Sequence, residues 1–260
     1  MTTAQEIISH MESLQDEQQR LNLMRFFKTQ PGEYGYGDEF LGIKVPSTRE
    51  VVGQSKDTPL SEIPTLLLCR WHEVRLCGLL LLVDKFERLS TKKLVNDPQA
   101  IKGRDEIVEI YLKYARQANN WDLVDLSVPK IIGSWLLLPT MLGSMNGQPD
   151  MNADYKLEVL DRLANSDCLW LQRMSMVCSW KTSQQGDPSY CLRYAEIHLH
   201  HPHDLMQKAV GWMLREMGKR VSMNLLRDFL HQHVHEMSRT SLRYAIEKMS
   251  EAERQMWMKG

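Results

Sequence analysis

The 260-residue sequence has few of the features that would assign it to a class at first sight. It has no run of 18 uncharged apolar residues, which argues against a transmembrane helix. Its polar start, MTTAQEIISHMESLQDEQQR, shows no apolar core of a signal peptide. The five cysteines are an odd number in mostly apolar contexts, which is typical of reduced thiols rather than of a disulfide framework. We therefore expect a cytoplasmic protein.

Neither sign of charge is in excess, because the sequence has 32 Lys and Arg residues and 33 Asp and Glu residues. The balance shifts along the chain. Residues 1–160 carry 18 basic against 22 acidic side chains, and residues 161–260 carry 14 against 11. A bias this mild is compatible with a nucleic-acid partner but does not argue for one. The positions of charges on helix faces have to decide the question.

Alternating β-branched runs are scarce, and apolar residues recur at helical spacing instead. In DLMQKAVGWMLREMGKR, for example, Met206, Val210, Met213 and Met217 share one face, and Asp204 is the expected N-cap. The pattern predicts helices over 3–28, 47–55, 59–69, 72–89, 91–117, 121–138, 152–165, 167–183, 188–200, 204–219, 221–234, 239–248 and 250–258. Short helices in succession favour a helical solenoid, with an irregular helical bundle as the alternative.

Two segments interrupt the helices. Residues 29–46, TQPGEYGYGDEFLGIKVP, hold four glycines and two prolines, but their aromatic side chains can pack, so an ordered loop is predicted. Residues 138–152, LPTMLGSMNGQPDMN, are predicted to form a mobile loop.

A tryptophan and a carboxylate share one helix face in ANNWDLVDLSVPKIIGSW, residues 118–135. Trp121 and Asp125 are four residues apart, and the asparagine pair before Trp121 can cap the helix. Pro129 lacks an N–H and its ring crowds the carbonyl of Asp125, so the helix should bend there. Two interpretations stay open: an aspartate that complements the helix dipole beside a core tryptophan, or a pair exposed for function.

Arg173 lies within DCLWLQRMSMVCSWK, residues 167–181, among apolar and aromatic neighbours. A guanidinium in such surroundings either extends to the surface or pairs with an anion. The first role is only structural. The second places a charged group at the floor of a groove, next to a carboxylate or a phosphate.

A basic stripe with one aromatic residue follows on the helix predicted from residue 204. Lys208, Trp212, Arg215 and Lys219 are spaced to lie on one face, opposite the methionines. A solvated charged face is one interpretation, but an exposed tryptophan there would be costly without a function. Basic groups interrupted by an aromatic ring suit the backbone and bases of nucleic acid.

Two histidine clusters, HLHHPH at 198–203 and HQHVHEM at 231–237, suggest metal ligands at first. However, the nearby cysteines lack zinc spacing and no HExxH motif occurs, so we expect neither a metal nor a cofactor.

These residues occur within segments that resemble the AlkD-type DNA alkylation repair glycosylases. The resemblance extends over most of the chain, in the right order. Its segments are FFKTQPGEYGYGDEFLGIKVPSTRE at 26–50, HEVRLCGLLLLV at 72–83, NNWDLVDLSVPKIIG at 119–133, WLQRMSMVCS at 170–179, KAVGWMLREMGKR at 208–220 and RTSLRYAIEKM at 239–249.

The resemblance implies one domain over 1–260, an all-α, right-handed helical solenoid of antiparallel HEAT-like helix pairs with a concave DNA-binding face. It implies a monomeric, nucleoid-associated, monofunctional glycosylase that excises N3- and N7-alkylated purines from double-stranded DNA. The catalytic aspartate of the family matches Asp125, its two base-side tryptophans match Trp121 and Trp212, and the arginine beside its site matches Arg173. We expect these four to converge on one concave face.

Phosphate contacts are expected from Lys208, Arg215 and Lys219. Two alternatives to the glycosylase remain: a helical-repeat protein that binds damaged or branched DNA without excision, and a protein-binding scaffold. A basic groove that gathers the four site residues favours the glycosylase, dispersed residues favour the first alternative, and a neutral or acidic groove favours the second.

Overall fold

The computed structural model of the protein describes residues 1–144 and 147–259. Every regular element in this part of the chain is a helix, which confirms the all-α fold class. The α-helices are α1 (Ala4–Ser13), α2 (Glu17–Phe26), α3 (Val45–Gln54), α4 (Ile63–Leu67), α5 (His72–Leu89), α6 (Pro98–Lys113), α7 (Trp121–Ser127), α8 (Ile132–Trp135), α9 (Ala153–Ala164), α10 (Leu169–Val177), α11 (Ser179–Gln184), α12 (Ser189–Ile197), α13 (Asp204–Arg220), α14 (Met223–His233), α15 (Arg239–Ala245) and α16 (Glu251–Lys259). Two 3-10 helices, Leu60–Glu62 and Ala115–Gln117, precede α4 and α7.

None of the helices in the described ranges has the length and apolar character that crossing a membrane requires.

The predicted single helix over 121–138 is wrong. α7 ends at Ser127, and α8 begins only at Ile132. Pro129 has no N–H to continue the ladder, and the chain turns through residues 128–131 until the N–H of Gly133 donates to the carbonyl of Val128 at 2.9 Å. Proline therefore ends the helix after Asp125 instead of bending it.

The predicted helix over 3–28 is also interrupted, between α1 and α2. The N–H of Asp16 donates to the carbonyl of Leu41 in the following loop, at 3.0 Å, and the Asp16 carboxylate caps α2 through the N–H of Gln19. A contact with a distant loop sets this break, so no local glycine or proline marks it in the sequence.

The N-cap predicted for α13 is wrong by one residue. His203 precedes the helix and its ring accepts a hydrogen bond from the N–H of Leu205 at 3.1 Å. Asp204 is the first helical residue, and its carboxylate pairs with Lys208 instead.

The chain divides into two compact units. The first comprises Met1–Ser127 with Pro139–Asp150, and the second comprises Val128–Leu138 with Met151–Gly260. The single domain over 1–260 stays a prediction.

In the first unit, α5 is the central helix and packs against α3, α4, α6 and α7. It is buried on nearly all sides, as expected for a helix surrounded by others. At its start, the Glu73 carboxylate accepts hydrogen bonds from the N–H groups of Leu41, Gly42 and Ile43, at 2.8–3.0 Å. Gly42 has a φ of +90°, and a Cβ there would lie 2.1 Å from the carbonyl oxygen of Asp16. The loop over 29–46 is thereby held against the helices.

In the second unit, α13 is the central helix and packs against α10, α11, α12, α14 and α15. The methionine face identified from the spacing is fully buried. α15 packs tightly against α13 at Gly211, which leaves no room for a side chain: a Cβ would lie 2.2 Å from the carbonyl oxygen of Ser241.

The loop over 138–152 is anchored at its base. Thr140 and Asp150 exchange two backbone hydrogen bonds of 2.8 and 3.1 Å. The buried Asp105 on α6 accepts from the Thr140 hydroxyl at 2.6 Å and from the N–H of Met141 at 2.7 Å. Residues 145 and 146 lie outside the described residues, and the mobility of this loop stays a prediction.

Candidate functional site

Trp121 and Asp125 lie on the partly exposed side of α7, and the rest of the helix is anchored by burial. Asp122, Leu123 and Val124 form the buried side. The two candidate side chains are one turn apart on a helix whose back is fixed, which leaves them able to meet a ligand together.

Asn120 starts α7, as the sequence predicts for one of the two asparagines. Its carbonyl accepts from the N–H of Val124 at 3.2 Å, and its side-chain Oδ1 accepts from the N–H of Trp121 at 2.9 Å. Asn120 therefore satisfies two of the N–H groups at the helix start.

Aromatic rings support the Trp121 side chain. Phe27 lies with its ring centroid 5.4 Å from that of Trp121, and Phe26 meets it edge-on at 5.9 Å. Phe26 is itself 60% exposed. The indole is thus held from within the unit and extended by a second ring that faces solvent.

A buried histidine lies under this aromatic cluster. His72, the first residue of α5, has its ring 5.0 Å from that of Phe27 and is stacked on Phe40 at 4.5 Å. Its Nδ1 is 2.7 Å from the Asp38 carboxylate and its Nε2 is 2.9 Å from that of Asp122. The imidazole therefore bridges the loop over 29–46 and the helix that carries Trp121.

Electrostatics keep this histidine protonated. Burial by itself lowers the His72 pKa, but the charge of Asp122 and its hydrogen bond, together with those of Asp38, outweigh burial and raise the pKa to about 9. For the Asp38 carboxylate, burial has the opposite effect and raises the pKa. The hydrogen bonds and charges of His72 and Arg75 outweigh burial and hold the Asp38 pKa below its usual value.

Arg75, one turn further along α5, completes the network. It forms a short ion pair with Asp38 and donates to Asn119 Oδ1 at 3.0 Å, just before α7. Its other terminal nitrogen donates to the carbonyls of Cys69 and Arg70. Two carboxylates thus face two cations in the interior. Both cations hold the start of α7, Arg75 through Asn119 and His72 through Asp122.

Arg173, on α10 of the second unit, is buried and does not extend into solvent. Its Nη1 donates to the carbonyl of Leu205, in the first turn of α13, at 2.5 Å. The guanidinium therefore ties α10 to the beginning of the helix that carries the basic stripe.

The stripe on α13 has the predicted orientation within its unit. Lys208, Trp212 and Arg215 are partly exposed and Lys219 is exposed, whereas Met213 on the other face is buried. The tryptophan therefore lies at the surface between basic side chains.

Acidic side chains accompany two of these cations. Lys208 pairs with Asp204 at 2.7 Å, and Arg215 pairs with Glu216 at 3.2 Å and more closely with Glu247. A phosphate that binds Lys208 or Arg215 has to compete with these carboxylates, which the spacing of the basic residues alone did not reveal.

The structure brings the candidate residues together in two sets. The first unit holds Trp121 and Asp125 on α7. The second holds Arg173 beside α13, and on that helix Lys208, Trp212, Arg215 and Lys219. Convergence of both sets on one concave face stays a prediction.

The histidine clusters assemble no group of three or more His, Cys, Asp or Glu side chains suited to a metal ion among residues 1–144 and 147–259. His198 hydrogen-bonds Ser175 at 2.8 Å, and burial lowers its pKa to about 4. His201 contacts Gln172 at 2.8 Å, so these histidines join the loop before α13 to α10.

Sequence reasoning gave no role to His72, Asp38, Asp122 or Phe27, although each lies within a segment of the family resemblance. A signal was available in the polar pair His72–Glu73, which opens a helix whose central residues, 76–83, are apolar or glycine. Polar side chains that become buried together with a helix need hydrogen-bond or charge partners.

Fold and site together define an all-helical protein that carries a carboxylate–tryptophan pair in one unit and a basic, tryptophan-containing helix face in the other. Comparison with known proteins places it further. The family model described as "DNA alkylation repair enzyme" matches residues 7–249, so the chain belongs to this family.

A solved structure described as "Predicted DNA alkylation repair enzyme from Enterococcus faecalis" has the same fold. It superposes with a TM-score of 0.63 over 91% of this chain and 97% of that chain, at 16% sequence identity. Comparison with curated proteins gives no match. The resemblance found in the sequence is thereby confirmed, and the family gives the protein the role of an enzyme in the repair of alkylated DNA.

Proposed function

We propose that the protein is a monofunctional DNA glycosylase that removes cationic N3- and N7-alkylated purines from double-stranded DNA. The observation that carries the proposal is the placement of Asp125 and Trp121 side by side on the accessible side of α7. Family membership and the resemblance over the same segment support it.

The chemistry suits a fixed carboxylate without a metal or a protein nucleophile. Alkylation at N3 or N7 makes the purine cationic, so the bond between the sugar and the base breaks with its electron pair moving onto the base. Positive charge then develops on the sugar. Asp125 stabilises this charge and orients the water whose oxygen bonds to the anomeric carbon, and the proton that this water loses passes to solvent. One such electrostatic partner is worth about 3–4 kcal/mol.

The other residues bind and orient the damaged nucleotide. The faces of Trp121 and Trp212 attract the cationic purine, a contact worth roughly 0.5–2 kcal/mol each. Arg173 supports the site next to the start of α13, and Lys208, Arg215 and Lys219 contact phosphates. The partner is duplex DNA, and the protein acts as a monomer.

The test is base release from methylated duplex DNA under single-turnover conditions. Asp125→Asn retains the shape of the side chain but removes its charge, so we expect the excision rate to fall by about 10²- to 10³-fold. Binding to undamaged duplex should scarcely weaken, since a carboxylate near phosphates repels them. Asp228→Asn, the same change at an exposed position of α14, is the matched control and should keep the full rate.

Unchanged excision by a folded Asp125→Asn variant would remove this residue from the mechanism. Tight duplex binding by the unaltered protein without any excision would support the alternative, a non-catalytic helical-repeat protein that recognises damaged or branched DNA.

A further inference from the structure

We infer that His72 is a positioning residue: by bridging Asp38 and Asp122, it holds α7 where Trp121 and Asp125 can act on DNA. This inference rests on the proposed function. Both ring nitrogens of His72 are bonded to Asp38 and Asp122, so we argue that it acts on Trp121 and Asp125 through the structure around it.

The first connection runs through Asp122. This buried residue lies between Trp121 and Asp125 in the sequence, and its Oδ2 is bonded to His72 Nε2 at 2.9 Å. Its other oxygen, Oδ1, has no hydrogen-bond partner among the described residues. The bond to His72 therefore fixes the carboxylate, and with it the buried side of α7.

The second connection runs through the aromatic rings. His72 lies between Phe40 and Phe27, and Phe27 in turn supports the Trp121 indole. A shift of the imidazole is passed to Trp121 by the intervening ring, because packed rings in an interior leave no space to absorb it.

The geometry also sets the charge of the bridge. A carboxylate only accepts hydrogen bonds, so two carboxylate partners require that both ring nitrogens of His72 donate. The charged groups that face it are Asp38 from the loop and Asp122 from α7, with Arg75 on the far side of Asp38. Within these four groups, two positive and two negative charges balance, and the adjacent buried Glu73 carboxylate is satisfied separately by three backbone N–H groups. Without the imidazolium, the network retains one uncompensated negative charge beside α7.

The experiment compares the single variant His72→Gln with the pair His72→Gln/Asp122→Asn. We expect His72→Gln to lower the single-turnover excision rate by roughly 10- to 100-fold, the scale of a misplaced reacting group, while affinity for undamaged duplex changes little. The pair restores charge balance and an amide–amide hydrogen bond, so part of the rate should return.

The control is Arg104→Gln. Arg104 is another buried cation of the same unit, but it donates to the carbonyls of Leu89, Leu94 and Val95, away from α7. Arg104→Gln should lower the free energy of unfolding without a specific loss of the excision rate. Nitrogen-detected NMR of the histidine rings at pH 8 should show both His72 nitrogens protonated in the unaltered protein.

The outcomes separate the two proposals. If the unaltered protein excises bases, Asp125→Asn does not, and folded His72→Gln keeps the full rate, the positioning role is wrong and the glycosylase stands. If the unaltered protein excises nothing, the proposed function fails. Should His72→Gln unfold at the assay temperature, Asp122→Asn removes the other end of the same bond, and a full rate in that variant overturns the inference.

Discussion

At the scale of the residue, the interior of the first unit holds an ionic network where an apolar core would be simpler. Replacing a buried ion pair with apolar groups is often neutral or stabilising, whereas removing one partner alone is costly. Stability alone therefore does not explain why this part of the interior is charged rather than apolar. The place of His72, beneath the Phe27 ring that supports Trp121 and bonded to Asp122 of α7, agrees better with the fixing of orientation.

The same network gives the free energy of unfolding a defined dependence on pH. The His72 pKa is raised from an ordinary value near 6.5 to about 9, so its contribution is fully present below pH 6.5 and is lost as pH rises through 9. The total is on the order of 3 kcal/mol. Denaturant unfolding of the unaltered protein and of His72→Gln, measured from pH 6 to 10, should show a difference that shrinks with rising pH. A difference that is constant or grows would contradict the assignment.

Acid acts on the other half of the network. The pKa of Asp38 is held below its usual value of 3.8. Its contribution to the free energy of unfolding is therefore present above pH 3.8 and is lost as pH falls through the folded-state pKa. The network is therefore most stabilising between these two limits.

At the scale of the element, the two longest helices could be predicted well, and the short ones next to the site could not. α5 begins and ends as its apolar spacing predicts, and α13 differs by one residue. Both are central helices, so their periodicity is strong. α7 and α8 are short and separated by the turn at Pro129, and propensity alone cannot distinguish a proline that bends a helix from one that ends it.

The candidate site shows the same division. Trp121 and Asp125 could be found because a spacing of four residues is visible in the sequence. The support beneath them could not, because Asp38, His72 and Asp122 are separated by 34 and 50 residues and meet only in the folded unit. The family resemblance identifies the exposed candidate residues, but it does not identify the buried residues that hold them in place.

Close helix packing beside Trp212 yields a second prediction at this scale. In Gly211→Ala the new methyl would lie 2.2 Å from the Ser241 carbonyl and 2.6 Å from the Tyr244 Cβ, so α13 and α15 must move apart. We expect a loss of about 1–3 kcal/mol in the free energy of unfolding. Gly53→Ala on α3 is the control, since nothing lies within 4 Å of its new methyl, and it should stabilise by about 0.5–1 kcal/mol. Equal effects at the two positions would refute the packing argument.

At the scale of the whole molecule, a protein with a net charge of −1 that binds DNA has to concentrate its positive charge. The face of α13 is the candidate, but Lys208 and Arg215 have carboxylate partners, and Lys219 is exposed to solvent. The competition with Asp204 and Glu247 should make binding weaker than the number of cations suggests.

Salt dependence measures this directly. Replacing Lys208, Arg215 or Lys219 with Ala should weaken duplex binding at every sequence and lower the slope of log Kd against log salt by about 1 for each lost phosphate contact. Asp204→Asn, which removes the carboxylate that pairs with Lys208, should instead strengthen binding. An affinity for duplex that does not change with salt would exclude these contacts.

The division into two units affects the order in which they are completed during synthesis and the fragments that proteolytic cleavage can give. Its course passes from the first unit to the second at Ser127, returns at Pro139 and leaves again after Asp150. A nascent chain completes the first unit only after part of the second has been synthesised. A fragment that stops at Ser127 deprives the buried Asp105 carboxylate of the hydroxyl of Thr140 and the N–H of Met141. No single cleavage point in the sequence therefore yields both units intact.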